Sequence, residues 1–138
     1  MELTLSHTFV YVLDQDEALD FYTRVLGFEK RVDAQMEHMR WLTVALPGQP
    51  ELELNLSAVG PPLPPEDVEP IRQLVAKGSM GALIFRTDDC RAAFERVVAS
   101  GAEIMQEPIE QSYGVIDCAF RDPSGNHIRI GQNLPATA

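Results

Sequence analysis

The sequence predicts an α+β fold made of two similar halves, each ordered strand–helix–strand–strand–strand. Residues 5–12 alternate between two faces and residues 82–87 begin with four apolar residues, which indicates a strand at the start of each half. Acidic residues follow each strand and open an amphipathic helix, and the helices end at Gly27 and Gly101. A repeat of this kind is typical of two copies of one supersecondary unit.

The first half begins with a strand whose two faces differ in chemistry. Period-two geometry divides it into Leu5, His7, Phe9 and Tyr11 on one face and Ser6, Thr8, Val10 and Val12 on the other. Asp14 then resembles a helix N-cap, with Glu17 three residues later as in a capping box. Three strand-like segments broken by Pro and Gly follow, at 28–34, 38–46 and 51–57.

The second half repeats this order after a connector. Asp88 and Asp89 cap its helix, and the strand-like segments that follow lie at 102–107, 114–121 and 126–132. The connector is Pro-rich at 60–65, and Pro70 is expected to open a short helix that ends at Gly78. We therefore predict a single domain with module one at about 1–57, a connector with its short helix at about 58–78, and module two at about 79–135.

Composition excludes several classes of partner. The chain has 138 residues with 21 Asp and Glu against 11 Lys and Arg, a formal net charge of −10. Nucleic acid and anionic membranes need clustered positive charge, so we expect neither as a partner. The N-terminus lacks the pattern of a signal peptide and Cys90 and Cys118 lack metal-binding or disulfide spacing, which favours a soluble cytoplasmic protein with small packed thiols.

Several motifs together carry a family resemblance. In the first half they are His7-x6-Asp14, Ala18-Leu19-x-Phe21-Tyr22 and Leu26-Gly27-Phe28, and in the second Asp88-Asp89-x2-Ala92-Ala93, Gly101-Ala102 and Phe120-Arg121-Asp122-Pro123-Ser124-Gly125-Asn126. With the repeat, they resemble the vicinal oxygen chelate superfamily of glyoxalases, bleomycin-resistance proteins and extradiol dioxygenases. The resemblance implies two βαβββ modules whose mixed sheets curl around a common cavity, commonly in a homodimer.

The resemblance also implies a metal site, with one ligand from the first and last strand of each module. His7 matches the first position, and Glu53 fits the second better than its neighbour Glu51. The third position falls on Ala82 (or Gly81), which cannot bind a metal. The fourth falls on Arg129, whose permanent positive charge would repel a cation. Half of the expected ligand set is therefore missing.

Two hypotheses follow for these positions. In the first, the site is converted, with Arg129 reaching into the former metal position and pairing with Glu53 near His7. His7 would then be the natural acid/base group and Arg129 would stabilise an anionic intermediate. In the second, a register shift of two residues brings His127 to His7 and Glu53, and these three hold a divalent metal such as Zn, Ni, Fe or Mn.

The remaining candidate residues describe a small-molecule cavity. Aromatic walls with a few fixed polar groups are typical of such pockets, and arginines would suit a planar or carboxylate-bearing ligand. The candidates are Phe9, Tyr11, Trp41, Ile84, Arg86, Tyr113, His127 and Arg129. The favoured function is a small-molecule-binding protein with a degenerate metal site, either sequestering its ligand or acting as a metal-independent enzyme. A metal-dependent lyase, isomerase or dioxygenase is the alternative.

Overall fold

The computed structural model describes residues 1–136 and contains two four-stranded mixed sheets. Sheet one, in the order β1-β4-β3-β2, comprises β1 (His7–Val12), β2 (Glu29–Gln35), β3 (Arg40–Ala45) and β4 (Glu53–Ala58). Sheet two, in the order β5-β8-β7-β6, comprises β5 (Ala82–Arg86), β6 (Ile104–Gln111), β7 (Val115–Arg121) and β8 (His127–Asn133). In each sheet the first strand runs parallel to its neighbour and the other pairs are antiparallel. The predicted α+β fold is confirmed.

The main helix of each module begins and ends where the capping residues predict. Helix α1 (Gln15–Asp20) starts after Asp14, whose side chain accepts from the Glu17 amide, and it continues into a π-helical segment, Phe21–Val25. Helix α3 (Cys90–Ala99) starts after Asp89, which accepts from the Ala92 amide. Gly27 and Gly101 end these two helices with φ of 84° and 85°, a backbone conformation that residues other than glycine rarely adopt.

The connector helix is longer than the sequence predicted. Helix α2 spans Pro65–Ala76, so it begins five residues before Pro70 and encloses it. Pro65 occupies the first turn, where the missing N–H has no helical partner and costs nothing. Pro70 was expected to open the helix for the same reason, but the first-turn position was already filled by Pro65.

The helices cover one face of each sheet, and the opposite face is left open. The core lies on the covered side and includes Val10, Val12, Leu42, Val44, Leu54 and Leu56 of sheet one and Ile116, Cys118, Phe120, Ile128 and Ile130 of sheet two. Cys90 and Cys118 are buried free thiols with their Sγ atoms 3.7 Å apart, and burial raises the pKa of Cys118 to about 12. Among the described residues, no helix has the length and apolar character that crossing a membrane requires.

A turn at residues 122–126, the Asp122 turn, fastens module two to module one. The buried carboxylate of Asp122 accepts from the backbone amides of Ser124 and Asn126 through one oxygen. Its other oxygen accepts from the Tyr22 hydroxyl at 2.8 Å and from the Asn126 side chain at 2.9 Å. Asn126 also donates to the carbonyl of Tyr11 in β1. The turn that closes module two thus sets the position of the strand that carries His7, Phe9 and Tyr11.

Candidate functional site: a pocket on sheet one

A pocket of about 410 Å³ lies on the open face of sheet one, and we call it the sheet-one pocket. Strands β1, β3 and β4 and the connector line it with His7, Thr8, Phe9, Tyr11, Met39, Trp41, Asn55, Ser57, Ala58, Gly60, Pro61, Pro62, Leu63 and Pro64. Its volume lies in the range typical of small-molecule sites. None of these described lining residues is Asp, Glu, Lys or Arg, so the acidity of the chain lies elsewhere.

Aromatic side chains dominate the sheet-one pocket. Phe9 and Tyr11 meet edge to face with ring centroids 4.9 Å apart, and the His7 ring lies 6.1 Å from the Trp41 ring. Phe9, on the edge strand β1, is 55% exposed. The three predicted aromatic residues of sheet one, Phe9, Tyr11 and Trp41, are therefore brought together around one cavity.

His7 and Glu53 lie side by side at the end of the same face. They are register partners across the parallel β1–β4 pair, and His7 Nε2 is 3.4 Å from Glu53 Oε2. The other oxygen of Glu53 accepts from the buried hydroxyl of Thr43 at 2.6 Å. The Glu53 carboxylate is thus held by two neighbours on its own sheet, and its position is set without any residue from sheet two.

A separate polar cluster lies on the open face of sheet two, around Asp117. This carboxylate is 3% exposed and accepts from the side chains of Gln106, Gln111, Tyr113 and Arg129. Burial alone would raise the pKa of Asp117, but hydrogen bonds from Gln111, Gln106 and Arg129 outweigh it and lower that pKa. The ion pair and its amide donors therefore keep Asp117 ionised.

Within the chain, Arg129 does not pair with Glu53 as the sequence predicted. Arg129 Nη1 lies 3.0 Å from Asp117 Oδ2 and approaches Gln106, both on sheet two. The reason is register: Arg129 pairs with Ala119 across the β7–β8 ladder, which places Asp117 one alternate position away on the same face. The Arg129 guanidinium therefore pairs with the Asp117 carboxylate on the neighbouring strand β7.

His127 does not join His7 and Glu53 within the chain. It lines a small cavity with Phe9, Tyr11 and Asn126 at the seam between β1 and β5, and its Nε2 has no hydrogen-bond partner in the described residues. Burial, together with the charges of Arg129 and Arg121, lowers the pKa of His127 and favours the neutral imidazole. Across residues 1–136, no three His, Cys, Asp or Glu side chains are placed to hold one metal ion.

The other predicted ligand-binding residues belong to module two, with Ile84 and Arg86 on β5 and Tyr113 in the β6–β7 turn. Arg86 hydrogen-bonds Asn133, and Tyr113 donates to Asp117 while remaining 67% exposed. Ile84 pairs with Arg129 across β5 and β8 and is 72% exposed. The predicted site residues therefore form two groups within the chain, one on the open face of each sheet.

Sequence reasoning missed three parts of the site. The connector at 60–64 was interpreted as a linker, yet it forms a wall of the sheet-one pocket. Asn55 lies two residues after Glu53 on β4, and Asp117 lies on β7; neither was given a role. Alternation along β4 and β7 could have placed both residues, whereas composition alone gives no sign that a proline-rich stretch folds back over a sheet.

Comparisons with known proteins agree with this architecture. A model of the Glyoxalase/Bleomycin resistance protein/Dioxygenase superfamily matches residues 4–130. YurT, an uncharacterized protein of Bacillus subtilis, is 34% identical over 126 residues that cover 91% of this chain and 95% of YurT. The crystal structure of UcmS2 has a TM-score of 0.87 and 40% identity, covering 95% of this chain and 98% of UcmS2.

A second solved structure, that of TnmS3, is also similar to this chain. TnmS3, an antibiotic binding protein from Streptomyces sp. CB03234, has a TM-score of 0.75 and 32% identity, with 96% of this chain and 97% of TnmS3 covered. The family match spans both sheets and every site residue up to Arg129. The chain therefore belongs to the glyoxalase/bleomycin resistance protein/dioxygenase superfamily.

Proposed function

We propose that this protein binds and sequesters a small organic molecule in the sheet-one pocket without a metal ion. The observation that carries the proposal is the set of aromatic side chains, Phe9, Tyr11 and Trp41, that line one pocket of about 410 Å³. Apolar walls with few polar groups are the usual makeup of a small-molecule site. The similarity to TnmS3, an antibiotic binding protein, supports the same class of function.

The donor set does not fit the metal site that the superfamily implies. His7 and Glu53 are adjacent and could supply two ligands. The corresponding positions of module two are Ala82, which has no donor, and Arg129, which is a cation held by Asp117. The module-two positions supply no ligand whether that module belongs to the same chain or to another copy. We therefore assign His7 to ligand contact, or to proton transfer if the ligand is turned over.

Intrinsic fluorescence provides a direct test, because Trp41 is the single tryptophan of the chain and lines the pocket. We expect EDTA-treated protein to show a saturable change in Trp41 emission with members of an aromatic ligand panel that includes 2-naphthol. Adding Zn, Ni, Fe or Mn should leave the dissociation constant unchanged within about twofold, since no step of binding needs a metal. Phe9→Ala should weaken binding about tenfold by removing aromatic contact, and Leu3→Ala should not.

The metal-dependent lyase, isomerase or dioxygenase remains the competing function, and the same experiment separates the two. Binding that appears only after one equivalent of metal is added, and that is lost with His7→Ala, would contradict the proposal. A panel that produces no saturable change in either form would also contradict it.

We further propose that the chain forms a homodimer in which a second copy covers the open faces. Both faces expose large apolar side chains, among them Phe9, Ile84 and Tyr113. Exposed apolar patches of this kind mark association or ligand surfaces. In such a dimer, sheet two of one copy would lie over the sheet-one pocket of the other and bring the Asp117 cluster near the ligand.

Sedimentation of the full chain tests this assembly. We expect a mass of twice the 15.3 kDa of one chain at micromolar concentration. Ile84→Glu should raise the dimer dissociation constant at least tenfold, because it places a charge in an apolar interface. Met36→Glu, in the β2–β3 turn, is the matched control. A monomer at all concentrations, or equal effects of the two variants, would contradict the dimer.

A further inference from the structure

The Glu53 carboxylate lies at the end of the open face of sheet one without a permanent cation beside it. Thr43 donates to one of its oxygens at 2.6 Å, and across residues 1–136 its ion-pair partner is His7, whose Nε2 lies 3.4 Å from the other oxygen. The Glu53 side chain is 25% exposed and the His7 side chain is 43% exposed, so solvent reaches both within one chain. Covering such an anion with another surface is costly unless that surface supplies a cation.

The Arg129 guanidinium on the open face of sheet two uses only part of its hydrogen-bonding capacity. Its Nη1 lies 3.0 Å from Asp117 Oδ2 and donates to Gln106 at 3.4 Å. Both contacts use Nη1, although a guanidinium carries five N–H donors in a planar fork. The Arg129 side chain is 26% exposed, and its register partner on β5, Ile84, is exposed as well. Arg129 can therefore pair with a second carboxylate that approaches this face.

The two open faces are complementary in charge. The described lining of the sheet-one pocket contains no lysine or arginine, and Glu53 lies beside that pocket on β4. Sheet two carries Arg129 on β8 and Arg86 on β5. Each chain has a formal net charge of −10, so two copies repel at long range and a stable contact needs local pairs of opposite charge. A second copy fits these faces, because a two-fold arrangement forms the same contact twice.

We propose that, in the homodimer, the Arg129 guanidinium of the second copy pairs with Glu53 and takes the place that the superfamily gives to a metal ion. Each guanidinium then bridges two carboxylates, Asp117 of its own chain and Glu53 of the other, with His7 beside the pair. Each sheet-one pocket is thereby completed by a residue of the other copy. This inference rests on the proposed homodimer and adds to it the contact that determines which surfaces meet.

A double-mutant cycle on the dimer dissociation constant tests this pair. Sedimentation of the EDTA-treated full chain at pH 8 compares the wild type with Glu53→Gln, Arg129→Gln and the double variant. Each single substitution should raise the dissociation constant about tenfold or more, because it leaves an uncompensated charge in both copies of the contact. The double variant should associate within about twofold of the weaker single variant, or more tightly, since either substitution alone removes the pair. Glu53 and Arg129 do not touch within one chain, so coupling between them reports contact between copies.

Three variants control the cycle. Glu51→Gln makes the same charge change at an exposed position two residues before Glu53, and it should alter the dissociation constant by less than about twofold. Arg86→Gln tests the other arginine, and its effect should add to that of Glu53→Gln. Circular dichroism establishes that each variant is folded. If Arg129→Gln fails to fold, the combined Asp117→Asn and Arg129→Gln variant supplies a neutral pair instead, and Glu53→Gln should then have little further effect.

Cross-linking measures the same proximity without relying on energies. Chains carrying Glu53→Cys and chains carrying Arg129→Cys are mixed at low concentration, concentrated together and treated with a short bismaleimide. Covalent dimers should form in the mixture but not with either variant alone. Met36→Cys, in the β2–β3 turn, takes the place of Glu53→Cys as the control and should give no covalent dimer. The native thiols, Cys90 and Cys118, are buried and do not compete for the reagent.

The outcomes separate this inference from the proposed homodimer. Additive effects of Glu53→Gln and Arg129→Gln in a protein that still dimerises, without a cross-link between the two positions, would overturn the pair and leave the homodimer standing. Coupling of Glu53 to Arg86 instead would overturn the assignment of Arg129. A dimer that forms only after a metal is added would overturn the replacement of the metal by Arg129. A monomer at all concentrations would overturn the homodimer itself.

Discussion

Replacing Asp122 by alanine is expected to destabilise the protein by about 3–5 kcal/mol, because it breaks a buried network. The four hydrogen bonds that Asp122 accepts come from two backbone amides and from the Tyr22 and Asn126 side chains. These donors are buried, and an alanine side chain offers them no acceptor, so their hydrogen bonds would be lost without replacement. Thermal unfolding should show a midpoint lower by about 10–15 °C for a chain of this length.

Two variants control this prediction. Asp20→Ala removes an aspartate whose ion pair with Arg24 is more than half exposed on both sides, so the unfolding midpoint should stay close to that of the wild type. Tyr22→Phe removes only one of the four donors and should cost about 1 kcal/mol. If Asp122→Ala and Asp20→Ala unfold at the same temperature, the Asp122 turn does not hold the two modules together.

Replacing Asp117 by alanine is the second substitution with a large expected effect, about 2–4 kcal/mol. It leaves the guanidinium of Arg129, whose side chain is 26% exposed, without its carboxylate, and it removes the acceptor for Gln106 and Gln111. Asp117→Asn preserves shape and should cost less, about 1–2 kcal/mol, because it removes the charge but keeps an acceptor. Urea unfolding at pH 7 measures both.

The pH dependence of the Asp117→Asn effect has a definite sign. The folded-state pKa of Asp117 is lowered, so its contribution is fully present above the unfolded value of about 3.9. It is lost as the pH falls below that value and through the folded-state pKa. The difference in unfolding free energy between the wild type and Asp117→Asn should therefore shrink between pH 5 and pH 2.5. A difference that stays constant or grows in acid would contradict the ion pair with Arg129.

Much of the fold could be predicted from local chemistry. Acidic N-caps at Asp14 and Asp89 and glycines at 27 and 101 determine the helix ends through interactions within a few residues. Alternation on β1 assigned Val10 and Val12 to one face and His7, Phe9 and Tyr11 to the other, and the first two are buried as that pattern requires. Signals that act over short distances along the chain are readable from one sequence.

Contacts between strands distant in sequence were harder to predict. The partner of Arg129 depends on the β7–β8 register, which sets Ala119 beside it and Asp117 on the same face. Without this register, the positions along the sequence predicted Glu53 as the partner of Arg129 instead. The connector posed the same difficulty, because nothing within 60–64 indicates that the chain folds back over Tyr11 and Trp41. Tertiary proximity, which local pattern does not encode, decides both cases.

The competing location for a ligand is a larger groove of about 680 Å³ on the helix side, between α1 and the Asp122 turn. Its lining is rich in charged groups that are already engaged, such as Asp20 with Arg24 and Glu103 with Arg121. Surface ion pairs of this kind are typical of a solvated cleft between structural elements. We therefore expect an aromatic ligand to bind in the sheet-one pocket rather than in this groove.

Mapping a bound probe by amide chemical shifts tests the central claim most directly. Titration of the ¹⁵N-labelled full chain with 2-naphthol, free of added metal, should shift the amides of β1, the residues around Asn55 in β4, and the non-proline residues of the 60–64 connector. The Trp41 indole N–H should move with them at the same dissociation constant. Shifts centred instead on Glu17, Arg24 and the Asp122 turn, or shifts that appear only when a metal is added, would contradict metal-free binding in the sheet-one pocket.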